Sequence, residues 1–103
     1  MPNVKTVAND TSLIFQRNGR TYLLPAEFVN RLEAAMQKLS ATAVKGHAET
    51  LRKHFGDDAW DALAGKDPSL AGRCISYLVS QHRIPFEAVG IDPNSKAQMY
   101  ARI

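Results

Sequence analysis

The sequence predicts an α+β domain: an N-terminal β-hairpin, three to four helices packed on it, and a C-terminal β-hairpin. Three observations carry this. An Asn18-Gly19 pair divides two strand-like runs, SLIFQR and RTYLLP. From Ala26 to Arg83, apolar residues recur at three- and four-residue intervals, which places them on one face of a helix. After Ile84 the chain turns β-rich again, with Pro85 and Gly90 where a helix would not accept them.

The first hairpin is the sharpest expectation. A two-residue type I′ turn needs positive φ at both central residues, which Asn and Gly supply at low cost. Its register sets Arg17 against Arg20, Phe15 against Tyr22 and Leu13 against Leu24. One face then carries Leu13, Leu24, Phe15 and Tyr22 and ends in the arginine pair, while Ile14 and Leu23 lie on the other. Like charges directly opposite one another are unfavourable, so Arg17 and Arg20 have no evident structural purpose and are candidate partner contacts.

Pro25 suits the first position of a helix, where its missing N–H is no loss. Phe28, Val29, Leu32, Ala35, Met36 and Leu39 form the apolar stripe of that helix, with Glu27 and Arg31 paired on the wet side. Thr42 is a candidate cap for a second helix with the stripe Val44, Ala48, Leu51 and Phe55, closed by Gly56. Asp57 opens a short helix, DAWDALA, ended by Gly65; Asp67-Pro68 then starts SLAGRCISYLVSQHR, which buries Leu70, Ala71, Cys74, Ile75 and Leu78. For Ile84 to Ile103 two readings stand: a hairpin around DPNS, or a helix-turn-helix capped at Asp92-Pro93. The hairpin is preferred, with Phe86, Ala88, Met99 and Ala101 on one face and Val89, Ile91 and Tyr100 on the other.

The chain has 103 residues, 45% hydrophobic and 22% charged, enough for one self-sufficient core. Residues 1–11 are polar and patternless and are expected as a flexible tail ahead of a single globular domain over 12–103. No apolar run reaches membrane-spanning length, and the first residues lack the basic and hydrophobic regions of a signal peptide. A lone cysteine excludes an intrachain disulfide, and the expected location is the cytoplasm. The net charge of +3 is uneven: residues 1–56 carry eight Lys/Arg against four Asp/Glu, residues 57–103 five against six. A footprint for nucleic acid would lean on the N-terminal half.

The stretch DDAWDALAGKDPSLAGRCISYLVSQHR followed by IPFEAVGIDPNSKAQMYARI resembles a winged helix-turn-helix DNA-binding domain, in which a recognition helix precedes a two-stranded wing. The resemblance covers residues 57–103 and rests on element order. It implies a small cytosolic nucleic-acid-binding protein, with the recognition role on the polar face of the helix from Ser69 to Arg83. Ser69, Arg73, Ser76, Ser80 and Arg83 follow at i, i+4, i+7, i+11 and i+14, with Tyr77 beside them. Arg forks to guanine, and Ser reaches bases or phosphates. Asp57, Asp58, Asp61 and Asp67 depart from that pattern, since a phosphate backbone passing there would meet four carboxylates and only Lys66. A second cationic group, Lys45, Arg52 and Lys53 with His54, is expected along the wet side of the second helix.

Other chemistry finds little footing. His47 and His54 are seven residues apart, about 10 Å along a helix, too far to share one zinc. Cys74 falls on an apolar stripe and reads as an inert core thiol. No phosphate-binding glycine motif occurs, and neither a catalytic set nor a cofactor is expected. Gly72, inside a predicted helix, points to close helix packing or to the close approach of a partner. The competing expectation is a protein-interaction module or accessory subunit, docking through a hairpin edge or through Val79 and Tyr100.

Overall fold

The computed structural model describes residues 12–103; the tail expected over residues 1–11 lies outside them. The elements run β1 (Ser12–Arg17), β2 (Arg20–Pro25), α1 (Ala26–Ser40), β3 (Glu49–Thr50), α2 (Leu51–Phe55), α3 (Asp57–Ala64), α4 (Pro68–Ser80), β4 (Phe86–Ile91) and β5 (Gln98–Arg102). The fold is α+β: an N-terminal hairpin, four helices and a C-terminal antiparallel sheet ordered β3-β5-β4.

The first hairpin has the register its turn demands: Arg17 opposite Arg20, Phe15 opposite Tyr22, Leu13 opposite Leu24. Asn18 and Gly19 both take positive φ, 52° and 77°. Phe15 and Leu24 are buried in the core, while Ile14 and Leu23 on the opposite face are 65% and 68% exposed. Pro25 closes β2 and stands just before α1, with φ −62° and no side-chain cap, one position earlier than expected. Helix α1 buries Val29, Leu32 and Met36 and packs against α4. Arg31 lies 5.1 Å over the Phe28 ring centroid and forms no ion pair with Glu27.

The expected helix from Thr42 is corrected. Ala41 to Ala48 form turns, Gly46 takes φ +80°, and Val44, assigned to an apolar stripe, is 70% exposed. Lys45 bridges to Arg102, and Glu49 and Thr50 pair with Tyr100 and Met99 of β5. Backbone pairing with a distant strand therefore claims a stretch whose apolar spacing also fits a helix. The helix that remains starts one turn before Phe55, capped by Thr50, whose Oγ1 accepts from the Lys53 N–H. His47 is consequently not on a helix with His54.

The terminal segment is a hairpin, with one correction to its faces. A bulge between Ala88 and Gly90 shifts the register, so Phe86 and Ala88 pair with Arg102 and Tyr100. Tyr100 therefore turns into the core beside Phe86, both 2% exposed, and Val79 packs against the same cluster. Neither Val79 nor Tyr100 offers the exposed docking surface expected of it.

Among the described residues no helix is long and apolar enough to cross a membrane.

Candidate functional site

Helix α4 is the floor of the site. Asp67 accepts from the Leu70 N–H at 3.0 Å, Pro68 fills the first turn, and Ala71, Cys74, Ile75 and Leu78 sink one face into the core. Ser69, Gly72, Arg73 and Ser76 fall at i, i+3, i+4 and i+7, so they share the opposite face.

The first hairpin folds over that face instead of leaving it to solvent. Phe15 meets Tyr77 edge-on with ring centroids 5.7 Å apart. The Arg73 guanidinium lies 4.3 Å over the Tyr22 ring centroid. At the tip, Arg17 Nη1 donates to Ser76 Oγ at 3.2 Å, and Ser76 Oγ also shares a 3.1 Å hydrogen bond with the Tyr100 hydroxyl. The arginine thus joins a short chain of polar groups leading to a buried tyrosine. Burial raises the Tyr100 pKa, opposed by the hydrogen bond to Ser76 and by the charge of Arg17.

Between these elements lies an open cleft of about 690 Å³. The hairpin tip forms one wall with Arg17, Asn18 and Tyr22, and α4 forms the floor. Thr50, Leu51, Arg52 and Trp60 come from the α2–α3 side, and Ser95, Ala97 and Gln98 from the turn between β4 and β5. That turn is built by Asp92, whose Oδ2 accepts from the Ser95 N–H at 2.9 Å and the Ser95 hydroxyl at 2.7 Å. Those bonds hold its carboxyl below the ordinary range. Three arginines line the cleft, and among the described residues no carboxylate does.

The arginines are not equivalent. Arg52 donates to Asp61 at 3.0 Å and to Asp57 at 3.3 Å, and these bonds raise its pKa. It therefore leaves the cationic group expected with Lys45 and Lys53, and it offsets two of the aspartates expected to repel phosphate. His54 leaves that group too: its Nε2–H donates to the Tyr100 carbonyl at 2.7 Å. Arg17 and Arg73 pair with no carboxylate among the described residues.

The residues expected on one recognition face divide. Ser69, Arg73 and Ser76 meet at the cleft, joined by Arg17 from the hairpin. Tyr77 is half-buried against Phe15, and Ser80 Oγ turns back to the Tyr77 carbonyl at 2.7 Å. Arg20 stays at the hairpin tip, beside a shallow depression formed by the turn itself. Arg83 is a correction: α4 ends at Ser80, and His82 takes φ +56°, so Arg83 does not continue the face. Its guanidinium instead grips Glu33 of α1 through two bonds of 3.2 and 2.6 Å, and its carbonyl accepts from Gln37 at 2.8 Å. The helical polar face is thus shorter than the sequence suggests, with its last arginine used to tie α1 to α4.

Gly72 is not explained by close helix packing. A Cβ built there would meet no atom within 4 Å, so no neighbouring helix requires the glycine, and the open space beside it is the cleft. Thr50, Trp60, Tyr22 and Gln98 went unrecognised as lining residues because they converge only through tertiary packing. Gly72 stood out in the sequence, since a glycine inside a helix costs stability.

No group of metal-ligating side chains gathers among the described residues. No family model, curated protein or solved structure matches this chain.

Proposed function

We propose that this protein binds nucleic acid, taking the phosphate backbone into the cleft where the hairpin tip meets α4. The observation that carries the reading is the convergence of Arg17, Arg52 and Arg73 on one cleft whose described lining contains no carboxylate. Polyanion binding needs cations whose charge is not already spent, and Arg17 and Arg73 meet that need. Hydroxyls from Ser69, Ser76 and Thr50 add donors suited to phosphate oxygens. The class is the one implied by the winged-helix resemblance of residues 57–103, but the contact moves from the outward face of the helix to the cleft on its first half.

Titration with a labelled oligonucleotide across a salt series tests this. Two neutralised phosphates predict a slope of log K against log salt of about −1.4 to −1.8. Arg17→Ala or Arg73→Ala should weaken binding and reduce the slope by about 0.7–0.9 each, whereas Arg83→Ala should leave the slope unchanged. Binding that is absent at low salt, or indifferent to salt, overturns the proposal.

One observation favours a second reading, an interaction module. Ile14 and Leu23 form an exposed apolar pair on the outer face of the first hairpin, a kind of surface that recognises other proteins. A concentration-dependent dimer, or a stoichiometric protein partner with no nucleic acid, would favour this reading.

A further inference from the structure

Resting on the nucleic-acid reading of the same cleft, we infer that its ligand is an unpaired strand, whose backbone crosses α4 at Gly72 with a base laid against the Arg73–Tyr22 stack. A duplex is read by elements that protrude into its grooves. Here the middle of α4 is recessed: the hairpin covers Tyr77 and is hydrogen-bonded to Ser76, and the Ser95–Gln98 turn contributes the far side of the cleft. A concave, cationic surface of this kind suits a flexible strand that can enter it.

The dimensions and chemistry agree. About 690 Å³ falls within the range of roughly 300–1,000 Å³ that holds a small ligand, so the cleft accommodates a nucleotide or two. Arg73 already lies over the Tyr22 ring at 4.3 Å, which sets a planar guanidinium beside an aromatic face where a base can stack. Arg17 reaches α4 at Ser76, three residues from Arg73 and four from Gly72, so both cations stand on the same face as the glycine. The missing side chain at Gly72 lets a sugar-phosphate backbone come down onto the helix between them.

The chain's one tryptophan, Trp60, lines the cleft and reports its occupancy without a label. Its fluorescence is followed while a single strand of about ten nucleotides, or a duplex of the same sequence, is added at low salt. The strand is expected to bind roughly tenfold tighter than the duplex or better, because stacking is available only to exposed bases. Gly72→Gln, confirmed as folded by circular dichroism, should weaken strand binding by about tenfold, and Gly72→Ala should weaken it by a smaller factor. A duplex that binds as tightly as the strand, or a Gly72→Gln protein that binds as the parent does, overturns this inference and leaves the nucleic-acid reading standing. Binding of neither form overturns both.

Discussion

Cys74 shows how one buried atom sets a pH dependence. Its thiol sits in the core with no accessible surface, and burial pushes its pKa from near 9 up to about 11. In the unfolded chain the thiol loses its proton first, so the contribution to stability is complete below pH 9 and disappears as the pH rises toward 11. Tyr100, raised by burial as well, acts in the same direction. Urea denaturation should therefore show stability falling across that window, with Cys74 responsible for about 2–3 kcal/mol. Cys74→Ala should flatten the slope while lowering stability at neutral pH, since it leaves a small cavity. A slope unchanged by the substitution would show that the thiol is not shielded as described.

At the scale of the element, Gly72 carries a stability cost that the packing of the fold does not require. Mid-helix glycine costs about 0.5–1 kcal/mol relative to alanine, and here a Cβ would meet nothing. Gly72→Ala should raise the unfolding free energy by that amount, seen as a higher urea midpoint with the denaturant slope unchanged; a lowered midpoint would mean that the helix is packed more tightly at this point. The elements also differ in how openly the sequence declares them. The first hairpin was legible to the residue because a two-residue Asn-Gly turn leaves one register available. The last hairpin was legible as an element but not in its faces: the bulge at Val89 adds one residue, and one residue exchanges inside for outside, so Tyr100 was placed on the wrong side. The stretch from Thr42 to Ala48 misled because its apolar spacing is helical while its hydrogen-bonding partners, on β5, lie some fifty residues away. Propensity yields to long-range pairing of that kind.

At the scale of the molecule, the cleft depends on the hairpin being held against α4. Phe15 is buried between the two, and truncating such a ring costs about 3–5 kcal/mol. Phe15→Ala should destabilise the protein by that order in urea. It should also weaken oligonucleotide binding as far as Arg17→Ala does, although every arginine remains, because the tip no longer has a fixed place. Retained affinity in that variant would detach the cleft from the hairpin. The candidate site was only partly legible for this reason: Ser69, Arg73 and Ser76 could be grouped by helical spacing, but nothing local says that Arg17 and Gln98 will meet them.

The walls of the cleft come from five separated stretches, around Arg17, Thr50, Trp60, Ser69 to Ser76, and Ser95 to Gln98. No contiguous peptide from this chain contains it. A ligand that filled it would therefore hold distant stretches of the polypeptide together at once. By mass action, a ligand at a hundred times its Kd would stabilise the whole domain by about 2.7 kcal/mol. The empty protein is then the form most open to local unfolding and proteolysis, so its lifetime would depend on how often the cleft is occupied.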